Sequence, residues 1–461
     1  MNRRSFLSQL AAAPLLRGAK TERPNIVYIL ADDLGWGDLR CYNPESEIAM
    51  PHANRLASEG VRFTDMHSPS SVCTPTRYGI LTGRYCWRSR LKNGVLWGYS
   101  PNLIEPGRMT VASLLRARGY TTAGIGKWHL GLGADEKTNY SLPLRPCPVD
   151  HGFDYFFGIP ASLDMEPYLY FENDRVVEQP SAHTRGQDTP RGVFYRPGPI
   201  APHFKVEEVL ATLAGKAVEY LRRRHEKPYF LYLPLTAPHT PWLPAAQYKG
   251  TSTAGIYGDF VSMTDDAIGR VLAAIDPTNT LVILTSDNGA HWTPEDRARF
   301  THRANAHWRG QKADIHEAGH RVPFLVRWPG RLPGGTVNGR LACLTDLMAT
   351  LAAITGAKLP ASAGEDSFDL FASQNGREAV VHHSSQGMFA IREKNWKLIL
   401  GRGSGGFTSP AFEKGASGGQ LYDLSADPAE SANLYAERPE VVERLTRLLE
   451  QYQRDGRSCP R

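Results

Sequence analysis

Apolar and polar positions along the chain alternate between two kinds of segment. Short runs rich in β-branched and aromatic residues end abruptly in polar residues: Ile26 to Leu30 ahead of Ala31-Asp32-Asp33, Phe230 to Leu233 ahead of PLTAPH, and Leu281 to Leu284 ahead of TSDNG. Runs that are apolar at every position, not every second one, are expected of parallel strands covered on both faces. Between them lie segments with helical spacing, including TVASLLRAR, VEEVLATLAGKAVEYLRRR and the residues after Asp265 and Asp266. Strand and helix in alternation predict an α/β fold, a large and mostly parallel sheet sandwiched by helices.

Beyond about Asp346 the texture changes to shorter segments: AVVHHSS, MFAIREKNWKLIL, a Gly/Ser-rich stretch around Gly401 to Gly419, and an amphipathic run from Glu440 to Gln453. These predict a smaller antiparallel sheet with a terminal helix packed on it. The expected organisation is a leader over residues 1–20, a large domain over 21–345 and a smaller C-terminal α+β subdomain over 346–461. No internal repeat is visible.

Composition agrees with that division. With 461 residues, 41% of them hydrophobic, the chain can bury a large core and exceeds a single small module. Its formal charge of +6, from 53 basic and 47 acidic residues spread along the sequence, argues against nucleic acid as a partner and suits small anionic substrates. The opening MNRRSFLSQLAAAPLL sets Arg3 and Arg4 ahead of a short apolar stretch, the pattern of a twin-arginine export signal. Export to a periplasmic or extracellular space is therefore expected. No other stretch nears the roughly 20 apolar residues that span a bilayer, so no stable membrane span is expected.

Two polar pairs occupy equivalent positions in this pattern. Asp32 and Asp33 follow one predicted strand, and Asp287 and Asn288 follow another. In open α/β sheets ligands bind beyond the carboxyl ends of the strands, so both pairs can converge on one point. Four hard oxygen donors suit Ca²⁺ or Mg²⁺ and not zinc, and calcium's larger, looser coordination leaves places for further oxygens. One calcium ion is the expected cofactor. Either pair alone reads as a simple turn; the matching positions at two strand ends favour the metal.

SVCTPTRYGILTGRY reads as a helix start, with Thr74 as N-cap, Pro75 at the first helical position and Arg77 one turn in. Cys73 then sits at the positive end of a helix, which favours an anion and would acidify its thiol. At these residues the chain resembles a known family. Cys73-Thr74-Pro75-Thr76-Arg77, followed by Leu81-Thr82-Gly83, is similar to the first signature of the type I, formylglycine-dependent sulfatases of the alkaline phosphatase superfamily. GYTTAGIGKWHLG resembles the second signature and carries Lys127 and His129. TAPHTP resembles the loop that presents the family's leaving-group histidine, here His239, and RGQKADIHEAGHRVP the segment with its second sulfate-binding lysine, here Lys312. LYDLSADPAESANL resembles the C-terminal motif, so the likeness runs from about Pro24 to about Leu434, in family order and leaning towards arylsulfatase and N-acetylgalactosamine sulfatase relatives. Thr76 stands where serine is frequent and Ala318 where glycine is usual; neither removes a catalytic group.

The resemblance implies a sulfuric ester hydrolase in which a formylglycine-generating or equivalent maturation enzyme oxidises Cys73. The aldehyde, hydrated to a geminal diol and held by the metal, attacks sulfur through one hydroxyl, and the other later expels sulfate. It further implies Asp32, Asp33, Asp287, Asn288 and modified Cys73 as metal ligands. Arg77 and Lys127 would hold the diol and a nearby sulfate oxygen, and Lys312 the sulfate. His129 would act as base towards the second hydroxyl and His239 as acid towards the departing alcohol.

Specificity should lie in the loops between motifs, where Trp97, His183, Arg185, His291, Arg303, His307 and Trp308 offer aromatic faces and donors; for any one of them an ordinary surface residue is the better reading, and none is assigned to the site. A sulfated carbohydrate or aryl sulfate is the expected substrate. The alternatives are a phosphonate or phosphate monoester hydrolase of the same superfamily and an inactive glycan-binding homologue with unmodified Cys73. With Cys73 set aside, Cys41, Cys86, Cys147, Cys343 and Cys459 fit no zinc spacing, and an odd number leaves at least one thiol free.

Overall fold

The computed structural model describes residues 23–372, 376–412 and 418–460. The expected leader over residues 1–20 lies outside them. The three apolar runs form the centre of a ten-stranded sheet. Asn25–Asp32 lies between Thr280–Ser286 and Tyr229–Pro238, and the sheet continues through Thr121–Lys127 to Tyr155–Ile159, all mutually parallel. Antiparallel pairings occur only towards the margins, where Phe324–Arg327 joins Thr280–Ser286 and Phe171–Glu172 joins Tyr155–Ile159. Every residue of Tyr229–Pro238 and Thr280–Ser286 is buried, which is why their sequences are apolar without alternation.

Helices Pro51–Glu59, Val209–Arg222 and Gly255–Leu272 pack with one another as one layer. Cys73–Thr82, Val111–Ala117 and Leu347–Thr355 form the other. The Gly255–Leu272 helix begins well before Asp265 and Asp266, where the sequence pattern places its start. Its acidic residues serve neighbouring backbone. Asp265 accepts from the N–H groups of His52 and Ala53 at 2.9 and 2.8 Å, capping the adjoining helix, and Asp259 accepts from Gly250, Thr251 and Ser252.

The second sheet has four antiparallel strands in the order Ala379–His383, Phe389–Glu393, Trp396–Ile399, Gln420–Asp423. Helix Pro439–Arg454 covers it and buries Val441, Leu445 and Leu449, a stripe at successive fourth positions, against a cluster that includes Tyr85, Trp87 and Cys343 of the larger unit. Among the described residues no helix is long and apolar enough to cross a membrane.

Buried charges join the two sheets. Asp65 receives Arg321 at 2.8 Å, Arg392 at 2.6 Å and His67 at 2.9 Å, while Lys397 bridges Glu317 at 3.1 Å and Glu430 at 2.8 Å. His67, His320 and His382 fill the space between, with the last two rings stacked at 3.6 Å. Burial pushes His67 down to about 4, and burial lowers His320 and His382 well below the ordinary histidine range.

Two stability outcomes are expected. Leu445→Ala should cost about 2–5 kcal/mol in denaturant unfolding, whereas Arg447→Ala on the exposed face of the same helix should change it by under about 0.5 kcal/mol. Acid should also destabilise the fold. The unfolded chain takes up protons near the ordinary histidine value, about 6.5, and the folded chain does not until about 4, so stability present above that window is lost as pH falls through it. His67 alone accounts for about 3 kcal/mol on this basis. A midpoint that does not fall between pH 7 and pH 4.5 would contradict this account.

Candidate active site

Parallel strands deliver their C-terminal ends to one edge of the sheet, and the site is built there. Asp32 closes its strand and Asp33 follows in left-handed backbone, at φ 66°. Ala31 lies in register with Ser286, so Asp287 and Asn288 leave the next strand at the same level. Asp32 is in register with Pro238 on the other side, which puts His239 beside it. Lys127 ends the following strand, with His129 two residues on at φ 56°. The outermost parallel strand leads into Ser162, a residue the sequence patterns do not single out.

All ten residues expected at the site are buried, and the structure brings them together. Lys127 Nζ donates to Asp32 Oδ2 at 2.7 Å, Lys312 Nζ to Asp33 Oδ2 at 2.8 Å, and Arg77 Nη2 to Asp287 Oδ2 at 2.7 Å. Arg77 also donates to the Lys127 carbonyl at 3.1 Å. The Cys73 thiol lies 3.5 Å from Asp32 Oδ1. His239 Nε2 is 3.7 Å from Asp33 Oδ2, and the Ser162 hydroxyl sits between Lys127 Nζ at 3.2 Å and His239 Nε2 at 3.4 Å. The one signal in the sequence that points to Ser162 is its place shortly beyond the C-terminal end of a buried parallel strand, as with Asp33, Asp287 and His129.

Three carboxylates thus meet three cations. Against burial, which would raise it, the ammonium of Lys127 leads the charges that hold Asp32 well below the usual carboxylate range. Burial and the adjacent Asp32 push Asp287 up to about 6. Burial works to discharge Lys312, but the Asp33 carboxylate more than reverses it. His129 is held neutral by burial and by Lys127 and Arg77. Its Nε2 lies 2.7 Å from the Leu96 carbonyl, which fixes the proton on that nitrogen. Nδ1 is left buried, without a partner, and able only to accept.

A hard divalent cation fits this donor set. Asn288 donates through Nδ2 to Asp33 Oδ1 at 2.6 Å, while its Oδ1 is buried with no hydrogen-bond partner, an acceptor that a cation would satisfy. The donor atoms of Asp32, Asp33, Cys73 and His239 lie within 4.8 Å of one another. Asp287 stands just outside that group, turned to Arg77, with its Oδ1 3.2 Å from the Asp33 N–H.

Two expectations about the Cys73 segment are corrected. The helix starts at Cys73 itself, after an extended Val72 that provides no side-chain cap. Thr74 is inside the helix, and its hydroxyl donates to the His129 carbonyl at 3.0 Å and accepts from the Leu96 N–H at 3.1 Å. The thiol is not acidified: burial drives its pKa far above the ordinary value and outweighs Lys127 and Lys312. Among the described residues no disulfide is formed. Of the loop residues considered for specificity, His291 borders the site and Trp97 follows Leu96, whose carbonyl meets His129, while Arg303 turns to local carbonyls and Trp308 packs under Arg321.

Comparison with known proteins agrees with this geometry. The family described as Sulfatase matches residues 24–357, and the N-sulphoglucosamine sulphohydrolase C-terminal family matches residues 307–455. The chain is 34% identical to an N-acetylgalactosamine-6-O-sulfatase of Bacteroides thetaiotaomicron over 94% of each chain, and 34% identical to human arylsulfatase A over 96% of this chain and 90% of that one. A solved Bacteroides thetaiotaomicron structure, designated 6S-sulf and concerned with the metabolism of multiple glycosaminoglycans, superposes with a TM-score of 0.84 at 32% identity, covering 94% of this chain and 99% of that one. With its strand-end carboxylates and buried cations lying within so extended a match, the chain belongs to the sulfatase family and is a hydrolase of sulfate esters.

Proposed function

We propose that this sulfatase removes sulfate from a carbohydrate, using Cys73 converted to formylglycine and a calcium ion held by Asp32, Asp33, Asp287, Asn288 and the converted residue. The observation that carries the reading is the buried meeting of three carboxylates and three cations on Cys73. The carbohydrate part rests on the relatives: the Bacteroides protein is an N-acetylgalactosamine-6-O-sulfatase, and the chain resembles it over nearly its full length.

When present, hydrated formylglycine supplies an oxygen nucleophile where the thiol has only sulfur, and calcium supplies a Lewis acid for it and for the sulfuryl oxygens. The chain's own residues do the rest. Arg77 and Lys127, fixed by Asp287 and Asp32, hold the nucleophile and one sulfuryl oxygen in line. Lys312, reaching in from a loop bonded to Ala290, and the Ser162 hydroxyl beside Lys127 bind the remaining oxygens and stabilise charge in the transition state. His129 offers the unprotonated Nδ1 that its Leu96 contact dictates, the atom that removes a proton when sulfate is released. His239 Nδ1 donates to the Thr240 carbonyl at 2.7 Å, which turns Nε2 towards the site, where the doubly protonated ring would hand its second proton to the departing oxygen.

Tryptic peptides of protein from a maturation-competent host should include a Cys73 peptide about 18 Da lighter than the encoded one, and Cys73→Ala should lower kcat by at least ~10³-fold. A native peptide of unmodified mass in active enzyme would defeat the nucleophile assignment. In parallel assays, kcat/KM for aryl sulfate should exceed that for aryl phosphate; the reverse order would move the chain to phosphoryl transfer. Asn288→Ala should raise the calcium concentration needed for half-maximal activity by about 10-fold or more, and shrink the rise in Tm that added calcium gives. An unchanged calcium titration would remove Asn288 from the ligand set.

A further inference from the structure

The sulfate pocket accounts for only one end of the substrate. On the side where His239 and Ser162 stand lies Asp164, a carboxylate that the mechanism above does not use. It is buried, at 7% exposure. Arg196 Nη1 donates to its Oδ2 at 2.5 Å and to its backbone carbonyl at 3.1 Å, while Oδ1 has the Ser162 hydroxyl nearby but no hydrogen-bond partner at normal distance. A buried carboxylate with lone pairs unfilled is costly unless something fills them when the protein works. Against burial, His239 and then Arg196 hold its carboxyl below the ordinary range, so the group is an anion and can only accept.

Arg196 is itself clamped. Its guanidinium lies 4.8 Å from the ring centre of Trp97 and 4.9 Å from that of Phe194, and its backbone carbonyl accepts from Tyr168 Oη at 2.7 Å. Trp97 is half exposed, the one exposed tryptophan of the nine, the others being buried or partly buried. It follows Leu96, whose carbonyl holds His129 and whose N–H is held by Thr74. Trp97 is thereby anchored to both the Cys73 helix and the expected base, while Asp164 stands by the expected acid.

We propose that Asp164 and Trp97 form the sugar subsite of this enzyme. The Asp164 carboxylate accepts a hydrogen bond from a hydroxyl or amide N–H on the ring that bears the sulfate. Trp97 lies against the C–H face of that ring or its neighbour, and Arg196 is a positioning residue that holds the two together. This assignment rests on the carbohydrate reading. It gives the site a preference that a bare sulfate pocket lacks, because a substrate without the donor leaves a buried anion unsatisfied.

The test compares kcat/KM on defined O-sulfated N-acetylhexosamines with that on 4-nitrophenyl sulfate, which carries no ring hydroxyl. Asp164→Asn, which keeps shape and an acceptor for Arg196, and Asp164→Ala should lower the ratio of saccharide to aryl activity by about 10- to 100-fold. Among saccharides in which single ring hydroxyls, or the amide, are replaced by hydrogen one at a time, one should lose a similar factor with wild-type enzyme and little more with Asp164→Ala. Trp97→Ala should raise KM for the saccharide, with recovery in Trp97→Phe. Equal losses on both substrates, or none, would overturn the subsite while leaving the carbohydrate reading intact. Wild-type enzyme that cleaves the aryl sulfate and none of the saccharides would overturn that reading and the subsite with it.

Discussion

The site depends on one electrostatic constraint: Asp32, Asp33 and Asp287 are buried as a group and can stay so only because Arg77, Lys127 and Lys312 are buried among them. Removing one partner from such a pair leaves a charge stranded away from water, at a typical cost of about 3–5 kcal/mol. The parallel sheet is what makes the arrangement possible. It releases Asp32, Asp287 and Lys127 at one level from strands whose register is locked by burial on both faces. Arg77 comes from the helix that begins at Cys73, so the same ion pairs fix that residue against the sheet.

The balance also prepares the site for its chemistry. Three carboxylates and three cations cancel, so a bound divalent cation leaves the pocket with an excess of two positive charges, an attractive well for a sulfate monoanion. The same burial makes the encoded thiol a poor nucleophile, because a thiolate would have to form where its pKa is driven far up. A site so favourable to anions, around a cysteine so reluctant to ionise, agrees with chemistry that depends on replacing sulfur with oxygen at that position.

Much of this is legible in the sequence, for physical reasons that differ from residue to residue. Strands covered on both faces carry apolar residues at every position, so where they stop is plain, and Asp32, Asp33, Asp287 and Asn288 can be placed without further help. Lys127, His129, His239 and Lys312 are marked by motifs. Ser162 and Asp164 have no motif of their own; beyond their place shortly after a buried strand, what marks them is contact with Lys127, His239 and Arg196, which exists only after folding. Thr74 looks like a helix cap because threonine often is one, but a tertiary partner at the His129 carbonyl takes its hydroxyl. Asp259 and Asp265 obscure the start of a long helix because their carboxylates serve backbone in other segments.

The change of texture after Asp346 suggests an appended unit, yet the hydrogen bonds argue for a structural part of the site. The Ser71 N–H donates to the His383 carbonyl at 3.1 Å, and the Ser71 carbonyl accepts from Ala313 at 2.8 Å, next to Lys312. Ala313 in turn accepts from Ser385 at 3.0 Å, Ile315 donates to Ser404 at 2.8 Å, and Asp314 Oδ1 accepts from Phe407 and Thr408 at 2.8 and 3.0 Å. The loop before Cys73 and the loop carrying Lys312 are therefore laced to each other and to the smaller sheet. Lys312 meets Asp33 from a loop, and no strand of the large sheet ends at it. Its loop is held from two sides: the Lys312 N–H donates to the Ala290 carbonyl at 3.1 Å, just beyond Asn288, while the C-terminal segment holds Ala313 to Ile315 largely through backbone groups, which is why the sequence there carries so little sign of the site it supports.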